Sequence, residues 1–312
     1  MAEGPVARSS GEAGSMNAEP IAPFRSVLIT GASSGIGFAC ALELDRRGFR
    51  VFAGVRREAD GRRLAEQASE RLAPILLDVT DADAIDRAAS TIAEATGLAG
   101  LDGLVNNAGI VVAAPLEFLP IAELRRQLEV NFVGAMAVTQ AMLPLVRAAR
   151  GRIVNISSVS GLVAAPYLGP YAASKYALEA ATDSLRLELR RFGIRVALVE
   201  PADVATPIWQ KSRDAADRLR DRMLDELGDG VPETVRAVYA EDLAAMRSAT
   251  ARFESAAMPV DRVVRAVVHA LCARRPKTRY PVGAKTWGVV LALRFLPDRI
   301  RDWIVRRSLG MS

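Results

Sequence analysis

From Arg25 onward, short apolar runs rich in β-branched residues alternate with longer stretches whose apolar positions recur every three or four residues. "SVLIT", "RVFAGV", "APILLDV", "LDGLVNN", "GRIVNIS", "IRVALVEP" and "TRYPV" carry the first pattern and predict strands. Between them the second pattern predicts helices from Gly35 to about Arg47, Ala82 to Thr96, Glu117 to Ala149, through Tyr171, and from Val260 to Arg274. Strands apolar on both faces, each followed by a helix, predict a parallel sheet covered on both sides. The expected architecture is therefore a doubly wound α/β fold in one domain, residues 23–284.

The alternation stops between Pro207 and Met258, where the chain is helical, rich in charge and without a strand. We read residues 207–258 as a helical lid whose apolar positions include Ile208, Trp209, Leu219, Met223, Leu224 and Leu227; the alternative is a solvated helix pair with no ligand contact. Residues 285–312 predict a basic amphipathic helical tail. In it Ile300, Trp303 and Ile304 share a face among Arg299, Arg301, Arg306 and Arg307, which fits either an anionic membrane surface or packing on its own domain or a second subunit. Residues 1–22, rich in Ala, Gly, Ser, Glu and Pro, predict a disordered tail in which Met16 is an alternative start to Met1. They lack the apolar core of a secretory signal, and the run "WGVVLAL" is too short to cross a bilayer.

Composition narrows the chemistry. The chain has 312 residues, 50% hydrophobic and 25% charged, typical of a soluble globular protein. Its net charge of +5 comes mainly from arginines that acidic residues accompany almost everywhere, so no nucleic-acid partner is expected. Cys40 and Cys272 are far apart in sequence, offering neither a disulfide framework nor a metal site, and a cytoplasmic location follows. The lone His269 has no accompanying nucleophile or ligand pattern and reads as structural.

Two stretches carry chemistry. "VLITGASSGIG" joins the first strand to the first helix through Gly31, Gly35 and Gly37, with Ser33, Ser34 and Ile36 in the same turn. Such a turn lets a pyrophosphate approach the backbone, where the helix N-terminus offers free N–H groups and the positive end of its dipole. An acid about 20 residues further on would hold a ribose 2′-hydroxyl. Here Val55 stands in its place, followed by Arg56 and Arg57, and a guanidinium suits a 2′-phosphate. NADP(H) is therefore favoured, with NAD(H) as the alternative, unless these arginines are only a solvated loop. In "GPYAASKYALEAATDSL", Tyr171 and Lys175 lie one helical turn apart and share a face. A nearby cation favours the phenolate, so Lys175 is expected to lower the pKa of Tyr171 from about 10.

With "NNAG" at Asn106 to Gly109, Asn131 in "LEVNFVGAM" and Ser158 in "NISSVSG", these motifs resemble, in order, the short-chain dehydrogenase/reductase family, in its TGxxxGxG and YxxxK branch. The resemblance runs from about Phe24 to Val282 and implies a Rossmann fold. It implies that Tyr171 is the general acid/base, Ser158 holds the substrate oxygen, Lys175 also holds the nicotinamide ribose, and Asn131 supports a proton relay. It further implies cofactor contacts by Asp78, Val79, Asn107, Ala108, Gly109, Pro201, Val204 and Thr206. For Asp78, capping the next helix is the open alternative. One position departs from the family: Ala202 follows Pro201 where glycine is usual.

The end of the chain, "RPKTRYPVGAKT", resembles the retinol and hydroxysteroid dehydrogenase branches. The expected substrate is an apolar alcohol, ketone or aldehyde, and the resemblance implies a homo-oligomer, dimer or tetramer. Two alternatives are a non-catalytic NADP(H)-binding redox sensor and a peripheral lipid-binding protein.

Overall fold

The computed structural model describes residues 25–227, 230–283 and 295–311, with 288, 290, 292 and 293. The N-terminal tail with Met16, the segment around Lys285 and Trp287, and the side chains of Met223, Leu224 and Leu227 lie outside the described residues.

Seven strands form one parallel sheet: β1 Ser26–Ile29, β2 Arg50–Val55, β3 Leu72–Leu76, β4 Gly103–Asn106, β5 Arg152–Ile156, β6 Arg195–Pro201 and β7 Arg279–Val282. Their order is β3-β2-β1-β4-β5-β6-β7, all neighbours parallel. The winding reverses between β1 and β4, which opens a crevice at the carboxyl ends of the strands, where doubly wound sheets bind ligands.

Alternation along each strand sends side chains to two cores. On one face Val27, Ile29, Val51 and Val105 meet Cys40 and Leu44 of α1, Gly35–Arg46, and Val263, Val267 and Leu271 of α9, Asp261–Cys272. On the other, Leu28, Phe52, Leu104 and Ile153 meet Ile85 and Ile92 of α3, Ala82–Thr96, and Val138, Met142 and Val146 of α5, Gly134–Ala148. Each fully buried aliphatic side chain contributes about 1.5–3 kcal/mol relative to exposure.

The helix expected from Glu117 to Ala149 is not continuous. Pro120 caps a fresh start, α4 runs Ile121–Leu128, and a π-turn at Glu129–Val133 carries the chain into α5. The turn adds a residue without breaking the apolar stripe, so periodicity hides it. Ile121–Ala148 is long and apolar enough to cross a membrane by length and composition, but here it lies against the sheet. A short charged helix, α2 at Glu58–Ala65, also escapes the sequence pattern.

A buried polar ladder ties the site's supports together. Asn106 Nδ2 donates to Thr139 Oγ1 and to Asn155 Oδ1, both at 2.8 Å, and Asn155 Nδ2 donates to Thr182 Oγ1 at 2.8 Å. These bonds join α5, β4, β5 and α6, Gly169–Glu188, just below the carboxyl edge.

The segment after β6 forms α7, Ile208–Leu227, and α8, Gly230–Ser255. The final helix, α10 at Asp298–Leu309, packs Val305, Leu309 and nearby Met311 with Ala245, Met246, Ala249 and Phe253 of α8. His269 hydrogen-bonds the Tyr280 hydroxyl at 2.8 Å, a structural contact between α9 and β7.

Candidate active site

Thr30 and Asn107 build the glycine loop. Thr30 Oγ1 accepts the N–H groups of Asn107 and Ala108, each at 3.0 Å. Asn107 Nδ2 donates to the carbonyls of Thr30 at 2.9 Å and Gly31 at 3.1 Å. Asn107 thus spends its amide on bracing the loop. A Cβ on Gly31, at φ 67°, would lie 2.8 Å from Ala108 Cα, and one on Gly37 only 2.4 Å from Asn107 Nδ2. The cradle exists only because those side chains are missing. Ser34, the N-cap of α1, makes no capping bond of its own. Ile36 packs against the core, and Gly109 lies beside Asn131.

Positive charge gathers at this loop. Lys211 of α7 donates to Ser34 Oγ at 2.7 Å, and Arg63 of α2 donates to the Ser33 carbonyl at 2.7 Å. Arg57 turns away to Asp60, at 2.9 and 3.3 Å, and its hydrogen bond holds the Asp60 carboxyl below the usual range against the effect of burial. Arg56 is exposed and makes no hydrogen bond or ion pair among the described residues. Burial, then the charge of Arg56, push the Lys211 ammonium below its ordinary pKa, against the pull of Asp60. Of the two arginines expected to meet a 2′-phosphate, Arg56 is available and Arg57 is committed.

Arg56 also borders a cavity of about 410 Å³ with Asp78, Thr80, Ile110, Arg126 and Val130. Asp78 Oδ1 accepts from Thr80 N at 3.0 Å and Thr80 Oγ1 at 2.8 Å. It closes a turn; the cap of α3 is Asp81, which accepts from Ala84 N at 3.1 Å. Capping by Asp78 is thereby replaced. Val79 is buried.

Ser158 leaves the end of β5 in extended conformation and caps the turn Val159–Gly161, accepting from Ser160 N at 3.1 Å. The Tyr171 phenol lies near enough to the Ser158 hydroxyl for Ser158 to lower its pKa. Lys175 stands 5.7 Å from the centre of the Tyr171 ring and donates to the Ile156 carbonyl at 2.8 Å. The structure therefore brings Ser158, Tyr171 and Lys175 to one strand end.

The electrostatics differ from the expectation. Burial raises the Tyr171 pKa above its ordinary value; the Ser158 hydroxyl opposes this and the charge of Asp203 adds to it. Burial pushes Lys175 down to about 8, against the charge of Glu179. Lys175 does not lower the phenol here, because desolvation dominates both groups and the ammonium is engaged by Ile156.

Asn131 sits buried within the π-turn. Its Oδ1 accepts from Ile110 N at 2.8 Å, and its Nδ2 donates to Ile110 O at 3.0 Å and Ser174 Oγ at 3.1 Å. Ser174 in turn donates to the Tyr171 carbonyl at 2.7 Å. One turn earlier, Gln127 accepts from Val112 N at 2.7 Å and donates to Ile110 O at 3.0 Å. The side chain of Asn131 braces the β4 exit against α6.

After Pro201, Ala202 N donates to Val282 O at 2.9 Å. A Cβ on Gly283, at φ 107°, would lie 2.9 Å from the Ala202 Cβ, so the space lost at residue 202 is recovered on the neighbouring strand. Val204 is buried and pairs with Met258, its carbonyl accepting from Trp209 Nε1 at 2.9 Å. Thr206 stands against Gly35. Over this edge Leu219 packs with Val112, Ala114 and Leu119, and Tyr239 meets Phe118 and Tyr167 edge-on, each pair at 6.0 Å.

Sequence reading missed Thr30, Gln127, Ser174, Arg63, Asp203 and Lys211. Gln127 was within reach, four residues before Asn131 on one helical face; Lys211 offered no signal, since nothing local ties α7 to the glycine loop.

Comparisons with known proteins agree with this arrangement. The short chain dehydrogenase family model matches residues 25–217. An NADPH-dependent 3-dehydrocapnine reductase of Ornithobacterium rhinotracheale is 34% identical over 91% of this chain and 97% of its own. Retinol dehydrogenase 16 of Homo sapiens is 39% identical over 89% of this chain and 88% of its own. A short-chain dehydrogenase of Streptomyces avermitilis superposes with a TM-score of 0.70 at 28% identity, covering 86% of this chain and 92% of the other. The glycine loop, the Ser158–Tyr171–Lys175 grouping and these relatives lead to one conclusion: this chain belongs to the short-chain dehydrogenase family and is an NAD(P)-dependent oxidoreductase.

Proposed function

We propose that this protein is an NADP(H)-preferring oxidoreductase for an apolar, lipid-, retinoid- or steroid-like alcohol, ketone or aldehyde, with Tyr171 as its general acid/base. The observation that carries the reading is the gathering of Ser158, Tyr171 and Lys175 at the carboxyl edge of β5, with Lys175 5.7 Å from the centre of the Tyr171 ring. The glycine cradle of Gly31 and Gly37, with Ser33, Ser34 and Thr206, fits a pyrophosphate, and Arg56 with Arg63 and Lys211 fits a further phosphate. When bound, the nicotinamide cofactor supplies or takes up the hydride.

Ser158 offers its hydroxyl to the substrate oxygen. Tyr171, kept protonated by burial, gives that oxygen its proton during reduction and takes it back during oxidation. Lys175 supplies a positive charge beside the ring, and Asn131 holds α6 and the Ile110 backbone in register. The apolar wall of Val112, Leu119 and Leu219 excludes water and favours an apolar substrate, with α7 and α8 as the lid.

On the outside, Phe295, Ile300 and Trp303 are exposed and Arg307 stacks 5.6 Å from the Trp303 ring, which supports a protein at once cytoplasmic and peripheral to an anionic membrane. Exposed Val133, Tyr176 and Leu187 on the outer helices suit a second copy of the chain.

The test is Tyr171→Phe, assayed with NADPH and NADH against aldehydes, ketones, retinoids and steroids. We expect turnover to be lost and NADPH binding by fluorescence to persist. Retained turnover would remove Tyr171 from the mechanism, and tight cofactor binding by the unaltered chain without any turnover would favour the sensor.

A further inference from the structure

One turn beyond Lys175 on α6 lies a buried ionic cluster that the reaction as described does not use. Arg279 of β7 donates through Nη1 to Glu179 of α6 and to Glu200 of β6, the latter at 2.5 Å. Its Nη2 reaches both oxygens of Asp183, at 3.0 and 2.9 Å, and Asp183 also accepts from Arg186 at 2.6 Å. Glu179 and Glu200 are buried, and Asp183 is half-exposed. Among these five groups, three carboxylates and two guanidiniums leave one net negative charge, and Lys175 is the cation one turn away on the same helix.

The placement directs that charge toward the site. Lys175 and Glu179 are four residues apart and share one face of the helix; no ion pair joins them among the described residues, so the carboxylate acts on the ammonium through space. Glu179 also backs the turn that Ser158 caps: a Cβ on Gly161 would lie 2.9 Å from Ser157 Oγ, 3.0 Å from Glu179 Cγ and 3.3 Å from Glu179 Oε1. That Oε1 is buried and has no hydrogen-bond partner among the described residues, so Arg279 holds one oxygen of the carboxylate and leaves the other uncommitted.

A buried ammonium whose protein acceptor is a backbone carbonyl is expensive to keep charged, and the group sheds its proton instead unless an opposite charge is near. We propose that Glu179, fixed by Arg279, is the counter-ion that keeps Lys175 an ammonium at neutral pH and is thereby a positioning residue of the site. The groups around this pair are Tyr171 on the same helix, Ile156 O from β5, Glu200 from β6, Arg279 from β7 and Asp203, which acts on Tyr171. Burial leaves Lys175 at about 8 even with Glu179 present. Without Glu179 about half of it is neutral at pH 7, and Arg279 sets how much of the carboxylate charge reaches it.

The chain has only four lysines, Lys175, Lys211, Lys277 and Lys285, so ¹³C-labelling at the lysine ε-carbon gives few resonances, and Lys175→Arg identifies the one of interest. Titrating the full, cofactor-free chain, we expect the Lys175 midpoint to fall by about one pH unit in Glu179→Gln and to rise in Arg279→Gln. Glu179→Asp restores it. Should circular dichroism find Arg279→Gln unfolded, Glu200→Gln reads the same field, with a fall smaller than that of Glu179→Gln. An unchanged midpoint in Glu179→Gln, or shifts of the same sign in the Glu179 and Arg279 variants, overturns the proposal. The inference rests on the role given to Lys175, yet the titration reads the lysine without substrate. Turnover by Tyr171→Phe would defeat the catalytic reading and leave the counter-ion untouched.

Discussion

Two acids bear on the Tyr171–Lys175 pair with opposite consequences. Glu179 stabilises the charged lysine, whereas Asp203 stabilises the uncharged phenol. The sign for pH dependence follows. Lys175 is charged below about 8 and loses its charge above it, so kcat/KM for the cofactor, which reports the free enzyme, falls as pH rises through that value. Asp203→Asn removes a negative charge near Tyr171 and lowers the phenol's pKa, read by ultraviolet difference titration against Tyr171→Phe. An unshifted phenol would show that Asp203 does not act on it. At this scale much was legible: YxxxK, the glycine loop, Ser158 and Asn131 are close in sequence or in recurring order. Pairings were less so. Arg57, the N-cap of α2, and Asp60 in its first turn are three apart, a pair readable only once that helix is recognised, and the depressed phenol expected from spacing alone gave way to desolvation.

Helices decide what the site can hold. Lys211 reaches Ser34 across 177 positions of sequence and joins the lid helix α7 to the N-terminus of α1. Lys211→Ala should weaken NADP⁺ and NAD⁺ binding alike, by about tenfold, while Arg56→Ala should weaken mainly NADP⁺. Calorimetry with both nucleotides measures this; equal losses in Arg56→Ala would take the 2′-phosphate away from Arg56. Unchanged affinity in Lys211→Ala would make its bond to Ser34 purely structural. The alternation of strand and helix made the sheet legible, because two-sided burial forces runs such as "RIVNI" to be apolar throughout. The π-turn was not legible, since a stripe of apolar residues survives one inserted residue. The partners of α7 and α8 were not either, because those helices are charged on most faces and, among their described residues, only Leu219 and Ala249 are buried.

For the molecule as a whole, the last helix is held by one face and open on another. Val305 and Leu309 pack with α8, while Ile300 and Trp303 stand outside with Arg299, Arg306 and Arg307 near them. Sedimentation with vesicles of anionic lipid should retain the protein, and replacing Trp303 and Ile300 with alanine should release it without loss of fold. Equal retention by zwitterionic vesicles would point to apolar insertion alone, and no retention would leave the helix a domain clasp only. The tail's basic, amphipathic character was legible from spacing; that it also closes the domain was not, because its partners belong to α8.

The pairing of Ala202 with Gly283 ties two positions together across the sheet. A methyl group at residue 202 occupies space that a side chain at residue 283 would need, so the two positions cannot be varied independently. Glycine at 202 would relieve that crowding and leave the φ of 107° at Gly283, which other residues rarely adopt. Gly283 is therefore demanded twice, by space and by backbone, and a side chain there stays strained even in an Ala202→Gly background.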